Sequence, residues 1–220
     1  MEYGTRAHWD RRHSSSGLAV QAQQRWVDDW MQILARVFES IRARRILDVG
    51  CGNGRDLVRL RQARYYALGA DFSFVALDHA RAAVDANCVA LADMAQGLPF
   101  ATSSFDAVVS NVAVHMFSDG VTRDVFAEIG RVTKTDGAVV LQVNSVDDRL
   151  IRGRTKRVVK EMEPDFVLED DGQTMHFFSK EYAEELLQGW RQVRVEPRAL
   201  LTDDGAVFKK MLCCTAIGQR

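Results

Sequence analysis

At 220 residues, with 47% hydrophobic and 27% charged side chains, the chain has the make-up of a folded domain, which excludes wholesale disorder. Fifteen glycines against three prolines exclude collagen-like and proline-rich linker sequences, and roughly 150 residues per domain points to one domain over 1–220. A formal charge of −1 removes the broad basic footprint of a dedicated nucleic-acid binder.

The first 16 residues are polar, with no apolar core of a signal sequence. No apolar run approaches the roughly 20 residues of a membrane span, so a cytoplasmic chain is expected. Tyr3, His8, Trp9 and His13 lie in this leader, which reads either as a tail or as an aromatic lid. As a lid, Tyr3 and Trp9 would make cation–π contact with a positively charged ligand.

Trp26, Trp30, Ile33, Leu34, Val37, Phe38 and Ile41 recur at three- and four-residue steps and predict an amphipathic helix over 18–43. Residues 45–50 are a short apolar run ending in glycine, hence a buried strand, and 55–63 suit a helix. A second strand follows over 65–71, and Ser73 can cap a helix to about 85. Strands are expected at 87–93 and 105–111, a helix at 121–132, then an Asp136-Gly137 turn into a fifth strand at 138–144.

Residues 146–178 form a charged insertion. Arg149, Arg152, Arg154, Lys156, Arg157 and Lys160 precede Glu161, Glu163, Asp165, Glu169, Asp170 and Asp171. The block reads as a solvated connection whose halves attract each other, with a substrate lid or RNA-facing surface as the alternative. Ser179 caps a helix through about 188, and strands at 193–201 and 207–217 close around Thr202-Asp203-Asp204-Gly205. Strand–helix alternation implies a mostly parallel sheet with helices on both faces, and the final hairpin adds antiparallel strands at an edge. Cys51, Cys88, Cys213 and Cys214 lack metal-ligand spacing, so free buried thiols and no metal site are expected, Cys213 and Cys214 on opposite strand faces.

The chemistry concentrates at the turn after the first strand, Asp48-Val49-Gly50-Cys51-Gly52-Asn53-Gly54. Its glycines allow a tight turn and a close ligand approach, beside the exposed N–H groups of a helix start. The spacing is Gly-x-Gly-x-Gly. A dinucleotide fingerprint needs its third glycine one residue later, where Arg55 stands, and a Walker loop needs Gly-Lys-Ser/Thr. Asp71, at the end of the second strand, is placed to accept hydrogen bonds from two ribose hydroxyls. Asp93-Met94 ends the third strand and Asn111 the fourth.

The runs LDVGCGNGRD, GADFS, LADM…LPF, FDAVVSNVAVHMF and EIGRVTKTDGAVVLQVNS, over about 45–145, resemble the class I S-adenosylmethionine-dependent methyltransferases of the small ubiquinone-biosynthesis-like branch. The resemblance implies an α/β, Rossmann-like, doubly wound sheet of seven strands, mostly parallel, with the last antiparallel. It implies S-adenosyl-L-methionine as cofactor. Gly50, Gly52 and Gly54 would line its methionine and ribose side, together with Asp48, Cys51 and Asn53. Asp71 would hold the ribose, with Ser73 beside it, Phe72 would flank the adenine, and Asp93 and Met94 would read it. Asn111 and Val112 would back the methionine. Residues 1–43 become a lid and helix, 45–145 the cofactor core, and 179–220 the closing helix and hairpin.

His115, after the fourth strand, is a candidate general base, and His176, in the insertion, a candidate catalytic residue at the acceptor site; each also suits a packing role. The expected reaction is methyl transfer by in-line displacement to an O, N or S atom of a small molecule. The alternative is RNA or protein, contacted through 149–160. Two other classes stand beside these: a nicotinamide oxidoreductase, against which the glycine spacing argues, and a cofactor-binding protein without catalysis.

Overall fold

The computed structural model describes residues 6–15 and 29–220. Helix α1 covers Arg6–Ser15 and α2 covers Trp30–Ile41. Trp30, Leu34 and Phe38 bury one face of α2 at four-residue steps, and Arg42 ends it in the left-handed region at φ 54°. Of the helix expected over 18–43, residues 18–28 lie outside the described residues, Trp26 among them; so does Tyr3.

Strand β1 (Arg45–Val49), α3 (Arg55–Gln62), β2 (Tyr66–Asp71), α4 (Phe74–Ala83) and β3 (Val89–Leu91) build one flank of the main sheet. Strand β4 (Phe105–Asn111), α5 (Asp119–Val132) and β5 (Thr133–Asn144) build the other. After the insertion come α7 (Lys180–Leu186), β9 (Trp190–Leu201) and β10 (Val207–Gln219). The seven strands run in the order β3-β2-β1-β4-β5-β10-β9. The first five pair in parallel, while β10 is antiparallel to both β5 and β9. The expected fold is therefore present. The chain steps outward from β1 to β2 and β3, then crosses back to β4 on the other side of β1, which opens a crevice at the carboxyl ends of β1 and β4.

Side-chain alternation distributes the core. Leu47, Val49, Val108, Leu141 and Val143 face α5 and α7, whereas Ile46, Ala107, Val109, Ala138 and Val140 face α2 and α3. Cys213 and Cys214 fall in these two opposite layers and are buried free thiols.

The boundaries depart from expectation where local chemistry competes. Strand β3 shrinks to three residues because Asp85 caps a one-turn helix at Ala86–Cys88, its carboxylate accepting the Asn87 N–H. Strand β5 starts at Thr133, and Asp136-Gly137 forms a bulge inside it rather than a turn before it. A Cβ on Gly137 would lie 2.6 Å from the Asp106 carbonyl oxygen, so that bulge needs glycine. Ser118 leads into α5, which starts at Asp119, ahead of the expected 121.

The insertion is more than a connection. After the short helix α6 (Arg149–Arg152), β6 (Val158–Glu163), β7 (Phe166–Glu169) and β8 (Thr174–His176) form a separate antiparallel sheet. Ion pairs join its basic and acidic halves: Arg149 to Glu161 and Asp165, Arg152 to Glu169, and Lys156 to Asp171. Beneath these charges Val167, Met175 and Phe177 make a small core of their own. No described helix is long and apolar enough to cross a membrane.

Candidate functional site

The crevice contains a cavity of about 720 Å³, within the range of small-molecule sites. Its floor is the turn between β1 and α3. Gly50, Gly52 and Gly54 all have positive φ (71°, 52° and 80°), which L side chains rarely adopt. A Cβ on Gly50 would lie 2.3 Å from the Ala113 Cβ, so this glycine lets the loops after β1 and β4 touch. Gly54 differs from its expected role. It packs on Ala80 of α4, 2.9 Å from where its Cβ would sit, and is absent from the cavity wall.

Three carboxylates surround the turn. Asp71 is 8% exposed; its Oδ2 accepts the Gly52 N–H and its Oδ1 the Ser73 N–H, both at 2.9 Å. Burial raises its pKa, while those two N–H groups and His13 pull it down. Asp48 is buried and its Oδ2 has no hydrogen-bond partner. Burial pushes its carboxyl well above the usual range, and Asp56 and Asp71 push further. Asn111 donates its side-chain amide to Asp56 Oδ2 at 2.8 Å. Asn53 is buried in the wall beside them. Cys51 lines the cavity as a neutral thiol, since burial and the Asp48 and Asp71 charges drive its pKa well up.

Val112 sits at φ 63°, a strained conformation for a β-branched residue, held by donation of its N–H to the Gln142 carbonyl at 3.0 Å. The strain turns the chain so that Ala113, Met116 and Phe117 line the cavity. Phe72, Asp93 and Met94 close the β2–β3 side, the Asp93 carboxylate accepting the Ala95 N–H at 3.0 Å. Ser73 does not join them. It is fully buried, its Oγ accepting the Ala76 N–H as the cap of α4 and donating to Asp10.

The described part of the N-terminal stretch packs against the cavity. Helix α1 places Arg6, Trp9, Arg12 and His13 on the cavity wall. Asp10 anchors it to Ser73 at the start of α4, the Arg6 guanidinium lies 4.6 Å from the Phe74 ring centroid, and His13 lies 3.4 Å from where a Gly52 Cβ would sit.

Neither candidate catalytic histidine reaches the cavity wall. The helical turn Val114–Met116 rotates His115 into the interior, where it is 1% exposed and neither ring nitrogen is hydrogen-bonded. Burial holds it well below its usual pKa, with Lys209, Arg152 and His176 contributing, so it stays neutral. His176 is a packing residue: Nδ1 contacts the Phe117 carbonyl at 3.1 Å, and its ring lies against Phe178 and Tyr182. Among the described residues no three His, Cys, Asp or Glu side chains are grouped as metal ligands.

The wall also contains residues that sequence reasoning missed: Gln142, Gln173, Thr174, Leu200 and Met211. Gln142 left one signal, a lone amide in the apolar run of β5.

Residues 46–137 match the family model of a methyltransferase domain. A malonyl-[acyl-carrier protein] O-methyltransferase of Erwinia pyrifoliae is 35% identical over 127 residues, covering 56% of this chain and 47% of that protein. A probable 18S rRNA (guanine-N(7))-methyltransferase of Dictyostelium discoideum is 32% identical over 104 residues, covering 47% of this chain and 36% of that protein. The chain thus spans about half, or less, of the length of these curated relatives. In fold it is similar to the Burkholderia thailandensis 1,6-didemethyltoxoflavin-N1-methyltransferase, solved with its substrate and S-adenosylhomocysteine. The TM-score is 0.70 at 14% identity, over 98% of this chain and 87% of that one.

Proposed function

We propose that this chain, whose residues 46–137 match the family model of a methyltransferase domain, is an S-adenosylmethionine-dependent methyltransferase that methylates a small molecule in the cavity under α1. One observation carries the proposal: the buried carboxylates of Asp48, Asp56 and Asp71 crowd the glycine turn, and Asp48 Oδ2 lacks a hydrogen-bond partner. A buried carboxylate without a partner is costly until a cationic, hydrogen-bonding ligand arrives. The cofactor has a positive sulfonium and a positive amino group, so the residues present fit it. Asp71 fits too, since each of its oxygens keeps a lone pair for a ribose hydroxyl after accepting one backbone N–H.

When bound, S-adenosylmethionine supplies a methyl carbon whose bond to sulfur breaks, the electron pair leaving with sulfur, as an acceptor lone pair attacks from the opposite side. The chain's part is positioning and exclusion of water. Gly50 and Gly52 bring the backbone close, Asp48 and Asp71 fix the charged and ribose ends, and Trp9 on α1 adds an aromatic face to the wall. With His115 and His176 outside the wall, a ring nitrogen, thiolate or carboxylate, which carries a free lone pair at neutral pH, needs no base, whereas a protonated acceptor would have His13 on the wall, its pKa lowered chiefly by burial, to take the proton.

A small acceptor is favoured over RNA because Arg149, Arg152 and Lys156, half of the basic run at 149–160, are already paired with acidic side chains of the same small sheet. The test is methyl transfer from labelled cofactor to a metabolite mixture and to bulk RNA, between about 50 and 200 mM salt. The expected product is a labelled small molecule whose formation changes little with salt. Labelled RNA, with a steep loss across that range relieved by replacing Arg154 and Arg157, would overturn the choice.

A further inference from the structure

The β5–β10–β9 flank of the cavity differs chemically from the glycine-turn end. Its wall is largely apolar, with Met116, Val121, Leu200 and Met211. Two side-chain amides interrupt it. Gln142 is 2% exposed and its Nε2 donates to nothing; Gln173 is 3% exposed and its Oε1 accepts from nothing. Both line the cavity. The Gln173 backbone is pinned by donation to Asp171 Oδ1 at 3.1 Å, and the neighbouring Thr174 hydroxyl donates to the Met116 carbonyl at 2.7 Å. The Gln142 backbone is fixed between β4 and β10. Gln173 Nε2 donates to Met116 Sδ at 3.4 Å, which leaves its Oε1 and the Gln142 Nε2 as buried amide atoms that the fold itself does not partner, and such atoms are few in folded proteins.

We infer that this end of the cavity binds the lactam edge of an uncharged nitrogen heterocycle, Gln142 Nε2 donating to the ring carbonyl and Gln173 Oε1 accepting from the adjacent ring N–H. A lactam presents one acceptor beside one donor, so it satisfies both amides at once. A carboxylate offers acceptors only and an alkylammonium donors only, and either leaves one amide unpaired. Met116 and Met211 supply the polarisable, adaptable contacts that suit a flat ring. The inference rests on the methyltransferase function proposed above, with the cofactor filling the glycine-turn end. The lactam can belong to a free heterocycle or to a guanine base in RNA.

The test titrates hypoxanthine into the full chain by calorimetry, with and without saturating S-adenosylhomocysteine. The comparison probes are 1-methylhypoxanthine, which lacks the N–H, and purine, which lacks the whole lactam. Hypoxanthine is expected to bind about tenfold or more tightly than either. Gln142→Leu and Gln173→Leu are each expected to erase that preference while S-adenosylhomocysteine still binds. Equal binding of purine and hypoxanthine, or no binding of hypoxanthine in either condition, overturns the inference. Failure of S-adenosylhomocysteine to bind is a separate result that strikes the cofactor assignment, and the lactam preference is still read on the protein alone. Guanosine against a short guanine-containing RNA then separates the sources: similar affinities with little salt dependence assign a free heterocycle, and much tighter, steeply salt-dependent RNA binding assigns a base in RNA.

Discussion

Alanine in place of Asp71 is expected to weaken S-adenosylhomocysteine binding about 10- to 100-fold, since hydrogen bonds to a charged group contribute about 1.5–3 kcal/mol and 1.4 kcal/mol is one decade. Stability should fall too, by about 1–3 kcal/mol, because the Gly52 and Ser73 N–H groups both lose their acceptor. A ribose-binding role and a helix-capping role compete for this residue in the sequence. In the structure Ser73 is the cap of α4, while Asp71 ties the glycine turn to the start of that helix. Asp71→Asn keeps one oxygen acceptor, so it should recover part of the stability and little of the affinity. Calorimetry and a denaturant midpoint on both variants check this. A folded Asp71→Ala protein with unchanged affinity would remove Asp71 from the binding site.

Gly50→Ala should have the largest effect on folding. The residue sits at φ 71°, where a Cβ costs roughly 1–2 kcal/mol. That Cβ would also lie 2.3 Å from the Ala113 Cβ, and such overpacking typically costs about 1–3 kcal/mol. A loss of roughly 2–5 kcal/mol is expected, with the glycine turn pushed away from the loop after β4 and cofactor affinity lost with it. Gly52→Ala is the control. At φ 52° it carries the backbone cost, but its Cβ meets only the His13 ring at 3.4 Å, on a helix that can shift. Equal destabilisation by the two substitutions would mean that the contact with Ala113 is not what requires Gly50.

The glycine-turn end of the cavity was legible in the sequence because its parts are local. Gly50, Gly52, Asp71 and Asp93 each lie where a parallel strand turns toward the next element, and that signature survives in a single chain. Gly54 and Ser73 share the signature yet serve α3 and α4, a distinction that needs the packing against Ala80 and the hydrogen bond to Ala76. The acceptor end was not legible. Gln142, Gln173, Leu200 and Met211 come from β5, the β7–β8 turn and two antiparallel strands, and only the folded sheet brings them to one wall. His115 was placed after the correct strand, but a single turn of helix decides which way its ring points. The small sheet at 158–176 was hidden by its own charges, which dominate its composition while Phe166, Val167 and Met175 do the packing.

The central claim is that the glycine turn and its three carboxylates hold S-adenosylmethionine rather than a dinucleotide. Parallel calorimetric titrations of the same preparation with S-adenosylhomocysteine and with NADH test it most directly. S-adenosylhomocysteine is expected to bind at one site per chain and NADH to give no heat of binding. Binding of NADH without any response to S-adenosylhomocysteine would contradict the assignment.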